Sequence, residues 1–337
     1  MRWKKSSVLA VVMSASACGG DDGAEAPLPT TLGAATTWMY QIQGLNEDGA
    51  VAALAVTDYP LLVLEPGHNF SESPYDTEAM VATLRTTPQG GERLLLAYVD
   101  IGQAEDYRDY WDTSWVAPTT CANGDPEWLL APDGDGWSGN YVVAYWDPAW
   151  KQQWLGDDGI VAELATMGFD GIYLDWVEAW DDYCVHTSAG ADGIDVGEEM
   201  IAFVGQLGDA GRAVNPAFVV VPQNAPFLID EDPETYASAI DALAVEDTWF
   251  HGIGDTAWDD PESGDQHDRH DGKWSTDNRL AQYEEYLTRG IPVFSVDYCV
   301  IESNAAMVYE AARDAGLRPL VTQAPLSQLT DTPPSDY

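Results

Sequence analysis

Short apolar runs recur along the chain, and the stretches between them carry apolar residues at helical spacing. Runs at 38–43, 61–64, 94–99, 141–145, 171–174, 218–221, 242–245, 292–296 and 317–321 read as strands. Most are apolar throughout rather than alternating, the pattern of strands buried on both faces. Glu65-Pro66-Gly67 ends one run and Asp147-Pro148 another. Between them, 77–85, 160–167, 198–210, 278–287 and 305–315 predict helices; Met80, Val81 and Leu84 share one face of the first, and Ile160, Val161, Leu164 and Met167 one face of the second. This repetition predicts an α/β fold with a mainly parallel sheet covered by helices. The nine runs are one more than a barrel needs. With 141–145 as an extra inserted strand, the remaining eight predict a (β/α)8 TIM barrel. The competing architecture is an open doubly wound sheet. Against it, no GxGxxG or Walker loop follows an early strand.

No linker interrupts 36–325, which predicts a single domain. The flanks differ in character. Arg2, Lys4 and Lys5 precede a small-residue apolar stretch at 7–17, far short of the roughly 20 residues that span a bilayer. Residues 1–17 therefore read as a signal peptide. Ala15-Ser16-Ala17-Cys18 followed by Gly19-Gly20-Asp21-Asp22 resembles a bacterial lipoprotein processing box. Cys18 is then the candidate for lipidation, and the protein an outer-membrane or cell-surface lipoprotein. Cleavage after Ala17 to a free secreted protein is the alternative. Residues 18–35 read as a flexible tether and 326–337 as a disordered tail.

Charge narrows the partners. Lys and Arg number 14 against 57 Asp and Glu, a formal net charge of -43. That excludes a basic nucleic-acid footprint and attraction to an anionic bilayer, and leaves a cationic ligand or a salt-adapted surface. Export permits a disulfide; Cys121 and Cys184 lie in loop-like sequence and are the candidate pair, whereas Cys299 follows an apolar strand and reads as a buried thiol. Asp133-Gly134-Asp135-Gly136 and the acidic stretch 255–271 lack the full twelve-residue calcium loop. His251, His267 and His270 lack HExxH spacing. No metal or cofactor is expected.

In a barrel, the chemistry sits where strands end C-terminally. The polar residues there are Gln41, Gln43, Glu65, Tyr98, Asp100, Tyr145, Asp147, Asp175, Glu178, Gln223, Asn224, Glu246, Asp247, Asp297, Tyr298 and Gln323. Carboxylates and amides dominate and histidine is absent, which suits sugar hydroxyls and a two-carboxylate mechanism. Gly171-Ile172-Tyr173-Leu174-Asp175-Trp176 runs an apolar strand straight into a carboxylate flanked by Trp; the plain alternative for Asp175 is a helix cap. Glu246-Asp247 follows the run 242–245, and either acid could serve, or neither, as a solvated loop pair. Two carboxylates facing one another would have their pKa values pushed apart. A separation of about 5 Å would mean retention of configuration, and about 6.5–9.5 Å inversion. Trp146, Trp176, Trp180, Trp249 and Tyr298 lie just past strands, where rings can stack on sugars or hold an ammonium group.

Four segments carry a resemblance: Trp38 to Gly44 (WMYQIQG), Leu95 to Arg108 (LLAYVDIGQAEDYR), Tyr145 to Pro148 (YWDP) and Gly168 to Trp176 (GFDGIYLDW). They resemble glycoside hydrolase family 114, whose known activity is endo-α-1,4-polygalactosaminidase, over nearly all of 36–325. The resemblance implies a (β/α)8 barrel with an extra strand in some members. It implies a catalytic pair matching Asp175 as nucleophile and Glu246 as acid/base, and internal, retaining cleavage of a cationic galactosamine polymer. The groove would be lined by Tyr98, Asp100, Glu105, Asp147 and Asp297, with Tyr40, Gln41, Tyr145, Trp176, Gln223, Trp249 and Tyr298 as further substrate contacts. Where the family segment commonly reads Ser-Ile-Gly-Glu-Ala-Glu, this chain has Asp100 and Gln103 in place of the Ser and the first Glu, a difference that bears on substrate preference. The competing functions are a non-catalytic carbohydrate-binding barrel of the cell surface, which fold alone does not exclude, and a calcium-stabilised surface protein.

Overall fold

The computed structural model describes residues 31–67, 76–267 and 271–330. The expected signal peptide, Cys18, most of the tether, His270 and the tail from 331 lie outside them.

Eight parallel strands build the core: β1 (Met39–Gln41), β2 (Leu61–Leu64), β3 (Leu94–Asp100), β4 (Gly171–Asp175), β5 (Val219–Pro222), β6 (Leu243–Glu246), β7 (Val293–Tyr298) and β8 (Arg318–Thr322). They follow one another in chain order, β1 to β5 in one ladder and β6 to β8 in another. A bridge between Gln223 and Ala244 joins the two ladders. Across the last seam the Trp38 indole N–H donates to the Arg318 carbonyl at 3.0 Å. The result is a (β/α)8 barrel. The register sets Asp100 beside Asp175 and Val296 beside Glu246, so both acids stand at the C-terminal rim.

The apolar runs became strands because both faces are covered. Trp38, Tyr40 and Tyr173 are almost fully buried, with the Tyr40 and Tyr173 ring centroids 5.1 Å apart and Trp38 edge-on to Phe294 at 5.6 Å. Each such ring removes about 150–250 Å² from water, a gross gain of roughly 4–6 kcal/mol. Nine helices among the described residues surround the strands: α1 (Ala50–Ala55), α2 (Thr77–Leu84), α3 (Pro148–Trp154), α4 (Ile160–Met167), α5 (Tyr183–Asp192), α6 (Val196–Val214), α7 (Pro233–Ala239), α8 (Thr276–Thr288) and α9 (Glu302–Asp314). Some of the acidity is structural: Asp76, Asp147, Asp182, Asp195 and Asp232 each accept a backbone N–H at a helix start. No helix among the described residues is long and apolar enough to cross a membrane.

The run at 141–145 is not a barrel strand. Asn140–Val143 pairs antiparallel with Gln103–Glu105 and Leu129–Pro132 in a small sheet between β3 and β4. Trp115, Trp128 and Trp150 pack beneath it, with centroids 4.9 and 5.1 Å apart. Cys121 in this excursion is disulfide-bonded to Cys184, with Cα atoms 5.4 Å apart. Cys184 lies in the first turn of α5, not in a loop. Cys299 is a buried free thiol.

Two boundaries move. The Arg318 guanidinium donates to the carbonyls of Leu32, Ala35 and Gly33, so the end of the expected tether is packed on the barrel. The Leu326 carbonyl accepts from the Ile42 and Gln43 N–H groups, both at 3.1 Å, and Leu326 is buried. Residues 326–330 therefore belong to the domain.

Candidate active site

Asp175 closes β4 and Glu246 closes β6. A groove of about 430 Å³ opens at this rim, with Glu246, Trp176, Glu178 and Asn224 among its lining residues. Each acid is pinned. Asp175 accepts from the Tyr98 hydroxyl on β3 and from the Trp176 N–H at 2.8 Å. Glu246 accepts from the Tyr298 hydroxyl at the end of β7, and from the Asn224 amide at 2.8 Å.

The backbone is bent to make these contacts. Trp176, Asn224 and Asp247, the residues just beyond β4, β5 and β6, have φ of 54°, 58° and 54°. Side-chain-bearing residues seldom adopt that left-handed conformation, and three of the five that do so among the described residues flank the two acids; the others are Asp265 and Leu326. Gly102 makes the turn at Trp176 feasible: a Cβ there would sit 2.1 Å from the Trp176 carbonyl oxygen. Arg279 in α8 fastens the third turn by donating to the carbonyls of Glu246 at 3.1 Å and Asp247 at 2.7 Å.

Burial raises the pKa of Glu246 from 4.5 to about 7, with the Asp175 charge adding to it, while hydrogen bonds from Tyr298, Asn224 and Gln223 hold it down. Burial also raises Asp175, against the Tyr98 and Trp176 hydrogen bonds that favour its ionised form. Glu178 is raised well above the usual carboxylate range, first by burial and then by Asp175 and Glu246. Its Oε2 atom is buried without a hydrogen-bond partner among the described residues. An acid that keeps its proton to near neutrality beside a second, hydrogen-bonded carboxylate is the arrangement a proton donor and a charged partner need.

The expected contacts divide. Tyr40, Tyr98, Gln223, Tyr298 and Trp176 gather around the two acids; the Tyr40 hydroxyl reaches Gln223 Oε1 at 3.4 Å. Asp100 stands next to Asp175 but is buried, its Oδ1 accepting from the Gly102 and Gln103 N–H groups. The others have structural partners. Gln41 is buried at the β8–β1 seam and donates to the Ser327 carbonyl at 3.1 Å. The Tyr145 hydroxyl donates to the Val196 carbonyl at 2.7 Å from a fully buried ring. Asp147 caps α3. Asp297 is fully buried and accepts from the Trp249 and Phe250 N–H groups, at 2.6 and 2.8 Å, which fixes the Trp249 backbone. These side chains are thus engaged in holding the fold around the site.

Glu105 belongs to a buried ion network. Arg108 grips Glu65 through both guanidinium nitrogens at 2.6 and 2.9 Å, and Glu105 at 2.7 Å. The departure at Gln103 has a local reason. Its amide donates to Asp133 Oδ2 at 2.7 Å and accepts from Asn140 at 3.0 Å; a carboxylate there would face Asp133 without that donor. Asp133 Oδ1 in turn accepts from the N–H groups of Asp135, Gly136 and Trp137. The aspartate of the suspected calcium loop is thus saturated by its own backbone.

Glu178, Asn224 and Asp247 stand at strand ends in the sequence and line the groove. Asp181, Asp182, Trp274 and Tyr283 line it too, and nothing local in the sequence marked them, because each comes from a turn or helix folded over the rim.

The chain is 34% identical over 299 residues to an uncharacterised protein of Deinococcus radiodurans, covering 88% of this chain and 83% of that one. Its fold is similar to the glycoside hydrolase domain of PelA from Pseudomonas aeruginosa, with a TM-score of 0.59 at 18% identity over 87% of this chain and 96% of that one. It is also similar to Ega3 of Aspergillus fumigatus, whose structure is a complex with galactosamine, with a TM-score of 0.56 at 18% identity over 87% and 93%. The model of glycoside-hydrolase family GH114 matches residues 22–336, so the chain belongs to that family and is a glycoside hydrolase.

Proposed function

We propose that the protein is an endo-acting hydrolase of α-1,4-linked galactosamine polymers, using Asp175 and Glu246. The observation that carries this reading is the pair of pinned acids at the C-terminal rim of the barrel, with burial pushing Glu246 to about 7 and hydrogen bonds from Tyr98 and Trp176 favouring ionised Asp175. The groove wall also carries Asp135, Asp181 and Asp182, which suits a polymer of amines and raises its local concentration. Galactosamine in the Ega3 structure supports the same class of sugar.

In the proposed cycle Glu246 gives its proton to the glycosidic oxygen while the Asp175 carboxylate attacks the anomeric carbon. The C–O bond to the leaving chain breaks and a glycosyl ester forms. Glu246, now ionised, takes a proton from water as the water oxygen attacks the same carbon; the ester bond breaks, Asp175 leaves as a carboxylate and Glu246 is protonated for the next cycle. Tyr98 and Tyr298 hold the two carboxyl groups in place, and Trp176 offers a ring to a sugar face.

Export through the basic N-terminus, with Cys18 as the lipid-bearing residue, is part of the proposal; mass analysis of the mature N-terminus in a bacterial host tests it. The activity is tested with partly and fully deacetylated α-1,4-galactosamine polymer, products being read by mass spectrometry. Short oligosaccharides from the wild type and none from Asp175→Asn or Glu246→Gln are expected. A folded protein that binds the polymer and releases nothing would instead be a sugar-binding barrel.

A further inference from the structure

In a chain with 57 acidic residues and only four lysines, one lysine stands beside two residues that line the groove. The Lys273 ammonium lies 4.9, 5.0 and 5.3 Å from the ring centroids of Trp180, Phe227 and Trp274. Asp181 closes the ring of contacts, its Oδ2 atom 3.3 Å from the Lys273 amine. Trp180 and Phe227 are buried, whereas Trp274 and Asp181 line the groove itself. Three aromatic faces with one carboxylate form a receptor for a primary ammonium ion. The group that fills it is a side chain from a short turn at Gly272–Trp274, and its flexible stem can swing out with little cost to the fold.

We propose that this cage is an amino-sugar subsite of the groove, and that Lys273 is its tethered occupant, displaced when an amine-bearing sugar residue enters. The inference rests on the proposed galactosamine specificity but concerns recognition, not hydrolysis. The displacement exchanges one ammonium for another, so the cage stays charge-balanced in both states. An N-acetylated residue carries no charge and does not displace Lys273. The subsite thereby discriminates between deacetylated and acetylated sugars.

The test separates binding from catalysis. Galactosamine and N-acetylgalactosamine are titrated into the wild type, Lys273→Met and Asp181→Asn, with tryptophan fluorescence as the readout. Lys273→Met keeps the apolar stem and removes the competitor, so galactosamine should bind about tenfold more tightly, while N-acetylgalactosamine is unchanged. Asp181→Asn should weaken galactosamine binding. Galactosamine affinity equal or lower in Lys273→Met overturns the proposal, whatever the polymer assays give. If the protein hydrolyses no galactosamine polymer but the amine titrations behave as stated, the subsite stands and the substrate reading fails.

Discussion

Asn224 clasps Glu246 from two sides: its amide nitrogen donates to Glu246 Oε2 at 2.8 Å, and its carbonyl oxygen accepts the Glu246 backbone N–H at 2.9 Å. The first contact favours the ionised carboxylate, so losing it raises the Glu246 pKa further above about 7. If Glu246 is the proton donor, Asn224→Ala shifts the alkaline limb of the kcat/KM profile upward by about one pH unit, given ~1.5 kcal/mol for a hydrogen bond to a charged group. It also lowers kcat, because the carboxyl is no longer oriented. A profile that keeps its limb would mean that Glu246 does not set it.

Tyr98→Phe acts on the other acid. The Tyr98 hydroxyl favours ionised Asp175, so its removal raises the Asp175 pKa and moves the acid limb upward. The bell narrows from its acid side in this variant. In Asn224→Ala it widens on the alkaline side. The limbs are macroscopic values of an interacting pair, and the opposite placement of the two shifts is the diagnostic feature.

Glu246 should cost the fold stability at high pH. With a folded pKa of about 7 against 4.5 unfolded, the native state holds the proton longer. Stability therefore falls as pH rises from about 4.5 to 7 and stays lower above that. Glu246→Gln removes an unfavourable contribution of up to about 3 kcal/mol at pH 8. Its Tm should exceed that of the wild type at pH 8, and the difference should vanish near pH 4. Calorimetry at the two pH values checks this.

The Glu65–Arg108–Glu105 network predicts a steep loss. Arg108→Met strands two buried carboxylates and should cost about 3–5 kcal/mol in urea unfolding at pH 7. Adding Glu65→Gln and Glu105→Gln to that variant should restore much of the loss, since the stranded charges rather than the missing bridge carry the cost.

The disulfide joins residues 63 apart in sequence. Chain entropy assigns a closed loop of that length about 4 kcal/mol. The Cys121→Ser, Cys184→Ser double variant should lose up to that amount in chemical denaturation, and unfolding of the excursion between β3 and β4 should begin earlier in hydrogen exchange than that of the strands.

The barrel strands were legible because apolar runs such as Leu61–Leu64 and Gly171–Asp175 are buried on both faces, and burial leaves its mark on consecutive residues. Helix α5 was not: among Tyr183–Asp192 only Val185 and Ala189 are buried, too few to print a helical stripe. The two acids were readable from their place after a strand and from the family resemblance. The contacts that tune them were only half readable. Asn224 stands at a strand end, but its hydrogen bonds to Glu246 accompany a left-handed turn that a sequence pattern does not encode. Tyr145 and Asp147 follow an apolar run that belongs to the inserted antiparallel sheet rather than to a barrel strand, which the run alone did not distinguish. Lys273 and its rings come from three separate turns, and only folding brings them together.

The grip of Arg318 on Leu32, Gly33 and Ala35 also fixes an orientation. Arg318 begins β8, so the chain enters the barrel on the face opposite the groove. A tag joined directly ahead of Thr31 would therefore meet the barrel at the face opposite the groove and leave the mouth unobstructed at that junction.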